Sequence, residues 1–202
     1  KTDLLDLNPG GVVYDVIYDE INNDYIVAGD FTSIKGVARQ NLAIIDAATF
    51  TVSSINPITS INGAIRTLAI KQTPASFPND GLSRLFLGGE FTSVNGVTRN
   101  YLCQMRRIEP LVGPFNTNYI LNNSWDAEII DQANPSDRIN DFVVRGDSII
   151  AVGQFIFLVP TTSHASFDYG GIAGFQGNLN SYVSIAVFDL FSQTYMFSEH
   201  YG

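Results

Sequence analysis

Gly29-Asp30-Phe31-Thr32-Ser33-Ile34-Lys35-Gly36-Val37-Ala38-Arg39 returns 60 residues later as Gly89-Glu90-Phe91-Thr92-Ser93-Val94-Asn95-Gly96-Val97-Thr98-Arg99. A degraded third copy begins at Gly153-Gln154-Phe155. Self-similarity at this spacing constrains the fold more than any other feature, because each copy is a supersecondary unit too small to bury its own apolar faces. Stacked neighbours must do that. The repeat constrains activity far less, since one scaffold of this kind carries many functions.

Each copy follows the same order of short β signals. In the first, Val12 to Tyr18 is a strand, Asn22-Asn23-Asp24 a turn and Tyr25 to Ala28 a second strand ended by Gly29. A loop through Gly36 leads to a third strand, Leu42 to Ile45, and a fourth, Phe50 to Ile55. The second copy runs Ile65 to Ile70, Leu85 to Gly89, Tyr101 to Met105 and Ile108 to Val112, with a loop holding Pro74, Pro78 and Asp80-Gly81. The third runs Ile139 to Val144, Ile149 to Gly153, Val183 to Asp189 and Tyr195 to Phe197. The inner strands, such as Leu85-Phe86-Leu87, are continuous apolar runs rather than alternations. That pattern belongs to sheets covered on both faces.

These signals predict an all-β chain of about three four-stranded antiparallel blades of β-propeller type. Residues 1–9 read as the closing strand of a preceding blade, 10–60 as blade 1 and 61–116 as blade 2. Residues 117–137 read as a bridging loop and 138–202 as blade 3 with a long insertion, 156–182. Three blades do not close a ring, for which four to eight are usual. The expectation is therefore a partial ring or arc, completed by further blades of the same chain or by other protein chains.

Composition narrows the partners. A formal net charge of −9 repels a phosphate backbone, so nucleic acid is not expected. No apolar run reaches the roughly 18 to 20 residues that cross a bilayer as a helix. The one cysteine, Cys103, has no internal disulfide partner, and within its strand it reads as a small hydrophobe. The opening Lys1-Thr2-Asp3, without an initiator Met, suggests a processed form or an excerpt.

The string Ala28-Gly29-Asp30-Phe31-Thr32 with Gly36, Arg39 and Leu42, matched by Gly88-Gly89-Glu90-Phe91-Thr92 with Gly96, Arg99 and Leu102, resembles the delta-60 repeat family. It is also similar to the repeats of cortical cell-polarity marker proteins. The resemblance implies β-propellers on secreted, cell-surface or other exterior proteins, commonly without an assigned reaction. It covers residues 12 to 112 well and 138 to 197 poorly, because the third copy has Gln154 for the acid and Ile156 for the Thr. WD40 and kelch arrays fit less well: the only Trp-Asp pair, Trp125-Asp126, does not recur, and no recurring Trp accompanies Gly88-Gly89.

In the repeat, Gly29, Gly89 and Gly153 are expected where backbones crowd or φ turns positive, and Phe31, Phe91 and Phe155 as plugs between blades. Asp30 with Arg39, and Glu90 with Arg99, are read as structural ion pairs across their loops. Asp19 to Asp24 has oxygen ligands but lacks the Gly and distal Glu of a calcium loop, so it reads as a polar turn. His164 and His200 have no Cys or carboxylate at zinc-ligand spacing. No metal or cofactor is expected. No Gly-x-Ser-x-Gly elbow accompanies His164 and Asp168. Asn122-Asn123-Ser124 is a lone glycosylation sequon.

The function these readings favour is a non-enzymatic structural or interaction module in an extracellular, cell-surface or virion assembly, such as a fibre or decoration protein. A glycan-binding, adhesin-like propeller is the alternative, with Trp125, Phe167, Tyr169 and Phe175 as stacking surfaces and Asp168 as a hydrogen-bonding partner. A propeller glycosidase or lyase would require paired carboxylates at an axial pocket.

Overall fold

The computed structural model describes residues 7–71, 83–108, 118–127, 129–130, 137–145, 148–154, 156–157, 183–189 and 195–201. All regular structure among them is β, and every strand pairing is antiparallel. The first sheet comprises β1 (Gly11–Asp19), β2 (Asp24–Phe31) and β5 (Leu42–Asp46), in that spatial order, with β3 (Ser33–Ile34) and β4 (Val37–Ala38) forming a small hairpin beside it. The second comprises β6 (Ile65–Lys71), β7 (Arg84–Gly89), β10 (Leu102–Ile108) and β11 (Asn118–Leu121), and β8 (Ser93–Val94) with β9 (Val97–Thr98) repeats the small hairpin. Next, β12 (Ile129–Ile130) pairs with β15 (Ile156–Phe157). The third sheet comprises β13 (Arg138–Arg145), β14 (Ser148–Gln154), β16 (Val183–Asp189) and β17 (Tyr195–Tyr201), also in chain order.

The two good copies of the repeat share their main backbone hydrogen bonds. The Gly29 and Gly89 N–H groups donate to the carbonyls of Asn41 and Tyr101, the Asn41 and Tyr101 N–H groups to those of Phe31 and Phe91, and the Arg39 and Arg99 N–H groups to those of Thr32 and Thr92. Asn41 and Tyr101 share a left-handed backbone, with φ of 61° and 64°. In the small hairpins the two central residues both have positive φ, Lys35 and Gly36 at 50° and 76°, Asn95 and Gly96 at 52° and 77°. A two-residue turn of that sense matches the twist of the flanking strands.

Each first strand carries an extra residue at the same place. The register slips between Val13 and Asp15 in β1, between Ile65 and Thr67 in β6 and between Ile139 and Asp141 in β13. Opposite the slip stand Gly29, Gly89 and Gly153. A Cβ at these glycines would sit 2.0 Å from the Val12 carbonyl oxygen, 2.1 Å from that of Ala64 and 2.2 Å from that of Arg138, so no larger residue fits. Of the two reasons the sequence offers for these glycines, crowding is the operative one.

Packing follows from strands apolar on both sides. In β7, Leu85 and Leu87 join a cluster with Ile26, Ala28, Leu42 and Ile44 of the first sheet, while Phe86 between them joins Ile139, Phe142, Ile149 and Ala151 of the third. Each such buried side chain contributes about 1.5–3 kcal/mol. Phe31 and Phe91 occupy matching places: Phe31 packs with Val27, Ile34, Ala43 and Ile45, and Phe91 with Leu87, Val94, Cys103 and Met105, each 60 positions on.

Several sequence boundaries are corrected. The first sheet has three strands, and the expected fourth, Phe50 to Ile55, contributes only the isolated bridge between Ile45 and Val52. In the second, β10 extends to Ile108, the rest of the expected strand Ile108 to Val112 lies outside the described residues, and β11, inside the stretch read as a bridging loop, pairs with β10. Asp46 explains part of this: its Oδ1 accepts from the Ala48 and Thr49 N–H groups, a turn that gives way to irregular chain. Most of the proposed closing strand (1–6) and of the insertion (158–182), together with Phe155, lies outside the described residues.

Candidate functional site

The repeated arginines do not pair with the repeated acids. Arg39 donates through Nη1 to the Ala38 carbonyl (2.7 Å) and through Nη2 to that of Ser53. Arg99 does the same with the Thr98 carbonyl (2.7 Å) and with those of Asn122 and Asn123 at 3.3 and 3.1 Å, and adds an ion pair to Asp126 at 3.1 Å. Each guanidinium ties the small hairpin to the chain that follows the last strand of its sheet, a task its planar fork of donors suits. Glu90 instead pairs with Arg66, the extra residue of β6, whose guanidinium also stacks on the Tyr14 ring at 4.2 Å. Asp30 is exposed.

The slip in the first strands places a polar side chain where neighbouring sheets meet. Asp15 Oδ2 accepts from the Leu68 N–H at 2.7 Å, joining β1 to β6. Thr67 Oγ1 donates to Asp141 Oδ1 at 3.0 Å, joining β6 to β13. Asp15, Thr67 and Asp141 are equivalent positions, each following the extra residue. β1 therefore packs beside β6, and β6 beside β13. Sequence reading passed over this line, although an acid inside an apolar strand at the same place in two copies was a usable signal.

At the far end of β1, Asp19 is fully buried and accepts from the Ile21 and Asn22 N–H groups, the Asn22 amide and the Tyr119 hydroxyl of β11 (2.7 Å). Burial, then the bond to Asp19, pushes the Tyr119 phenol well above its usual range, so it stays a neutral donor. Across the turn, Asp24 is raised to about 6 by desolvation, then by the charges of Asp19 and Asp46. Hydrogen bonds from Thr49 and Ala48 hold Asp46 below the usual carboxylate range. The expected polar turn is thus also an anchor between sheets. Among the described residues no group of three or more His, Cys, Asp and Glu could hold a metal ion.

One surface stands open. Val16 and Tyr18 of β1, which stand opposite Val27 and Tyr25 on one face, are 41% and 44% exposed. Their equivalents on β6 are Leu68 and Ile70, which pack in the cluster shared with the first sheet, Leu68 at 5% exposure. Among the described residues these two large side chains are left open where their equivalents on β6 are covered.

Trp125, read from sequence as a glycan-stacking surface, is buried, its ring set edge-on to Phe86 at 6.0 Å between the second and third sheets. It is core. Phe167, Asp168, Tyr169 and Phe175 fall outside the described residues, as does His164, while His200 stands in β17. The sequon residue Asn122 spends its amide on Gln104 Oε1. Cys103 is a fully buried free thiol in β10, and burial drives its pKa far above the ordinary value. Comparison with protein-family models, curated proteins and solved structures finds no match for this chain.

Proposed function

We propose that this chain is a non-enzymatic structural or interaction module whose sheets stack as blades of β-propeller type, forming part of a ring or arc within a larger exterior assembly. A virion component such as a fibre or decoration protein, or a cell-surface protein, is the setting the repeat resemblance favours. The observation that carries this reading is the side-by-side placement of β1, β6 and β13, each with its extra residue at one level and with polar links from sheet to sheet. Propeller blades are meandering antiparallel sheets ranged about an axis in this way, first strand innermost. Arg39 and Arg99 hold backbone carbonyls, and Glu90 is matched by Arg66.

An antibody against this chain tests the proposal. Native extract of the source, run on a density gradient, should carry the chain with large assemblies, and intact particles or cells should bind the antibody without permeabilisation. Turnover of a glycoside or uronate polymer by the purified chain, abolished by an Asp→Asn change, would refute it. So would a freely diffusing chain confined inside cells.

A further inference from the structure

Building on the blade reading, we infer that the open face of β1 seats the first strand of a further sheet of this same kind, with a hydroxyl or amide donor at the position held here by Asp15, Thr67 and Asp141. The occupant is specified by what covers the equivalent face inside the molecule. Val13, Ile65 and Ile139 stand opposite the equivalent glycines, so Val12 corresponds to Ala64, Val16 to Leu68 and Tyr18 to Ile70. The face of the second sheet that includes Leu68 and Ile70 is shut by the first sheet, with the Leu68 N–H bonded to Asp15. The face of the first sheet that includes Val16 and Tyr18 has the same chemistry and is 41% and 44% exposed at those residues. The opposite face of the series is open too: Val143, equivalent to Ile17 and Ala69, which pack against inter-sheet clusters, is 55% exposed.

Charge chooses between occupants. A second copy of this chain would bring its third sheet, and with it Asp141, against Asp15, two carboxylates at one junction, which repel and resist desolvation together. The internal junction that has an acid on its following sheet solves this with Thr67 on the preceding one, donating to Asp141 at 3.0 Å. The junction in front of Asp15 calls for the same arrangement.

The chain itself supplies the probe. Asp141→Thr gives its third sheet the donor, and Val16→Asp in the same chain blocks its own β1 face, so this double variant can only act as the preceding sheet. Mixed with the unaltered chain, it should form a 1:1 complex by light scattering on a sizing column. Each alone should run as a monomer, and Val16→Asp in the acceptor chain should weaken the complex by at least about tenfold, since a charge would be buried there unpaired. Should the Asp141→Thr chain lose its β circular dichroism signal, Asp141→Asn, an amide donor, takes its place. Absence of a complex with a folded donor variant overturns the inference. Self-association of the unaltered chain as tight as the mixed complex overturns it as well, by making a second copy the occupant. Neither result touches the module reading, which falls instead to the appearance of catalysis or of an intracellular location.

Discussion

Gly89→Ala tests the packing argument most directly. The added methyl would stand 2.1 Å from the Ala64 carbonyl oxygen and 3.0 Å from the Ile65 Cα, both backbone atoms. Relief requires β6 to move away from β7 by more than an ångström, and β6 is held between the first and third sheets by Leu68, Asp15 and the Thr67–Asp141 bond. Overpacking that cannot relax by side-chain rotation lies at the upper end of such effects, about 3–5 kcal/mol. Gly96→Ala in the same repeat copy is the control: nothing lies within 4 Å of its added methyl, and only the φ of +77° opposes it, at about 1–2 kcal/mol. Urea unfolding followed by the fluorescence of Trp125, the single tryptophan, buried between the second and third sheets, measures both. In a thermal melt of a chain of this length the first change should lower Tm by roughly 10 °C and the second by about 3 °C. A Gly89→Ala protein within about 1 kcal/mol of wild type, or a Gly96→Ala protein that suffers more, would refute the reasoning.

Trp125→Ala should destabilise by about 3–5 kcal/mol through the cavity left beside Phe86, seen as a lowered urea midpoint by circular dichroism. The Asp24 carboxyl holds its proton more tightly folded than unfolded, so stability is greatest below the ordinary carboxylate pKa of 3.8 and declines as pH rises to about 6. Asp24→Asn should remove that decline and, after discounting for the solvent around this half-buried group, gain on the order of 1 kcal/mol at pH 7. Urea midpoints from pH 4 to 7 check it, and parallel curves for the two proteins would contradict it. Cys103 should be inert to a chromogenic disulfide reagent in the native chain and react once urea unfolds it. Reaction at the rate of a free thiol in the folded protein would contradict its burial.

What the sequence determined by itself is local. Turn chemistry and apolar runs placed β16 at Val183–Asp189 to the residue, and the repeated glycines marked three points where the first strand's backbone leaves no room for a Cβ. Even there the two-residue hairpins were legible only as loops, although Asn95-Gly96 is the standard signal for such a turn. What tertiary structure decided is every choice between partners distant in the chain. Glu90 reaches Arg66 rather than Arg99, and Asp19 finds Tyr119 one hundred residues away. Trp125, in a stretch without periodicity, turns inward because the second and third sheets leave an apolar gap beside Phe86. The same holds for the β1 face: Val16 and Tyr18 read like any buried strand, and only the absence of a described sheet across from them leaves them open. Backbone conformation answers to neighbours in sequence, whereas burial and ion pairing answer to whichever sheet lies across the interface.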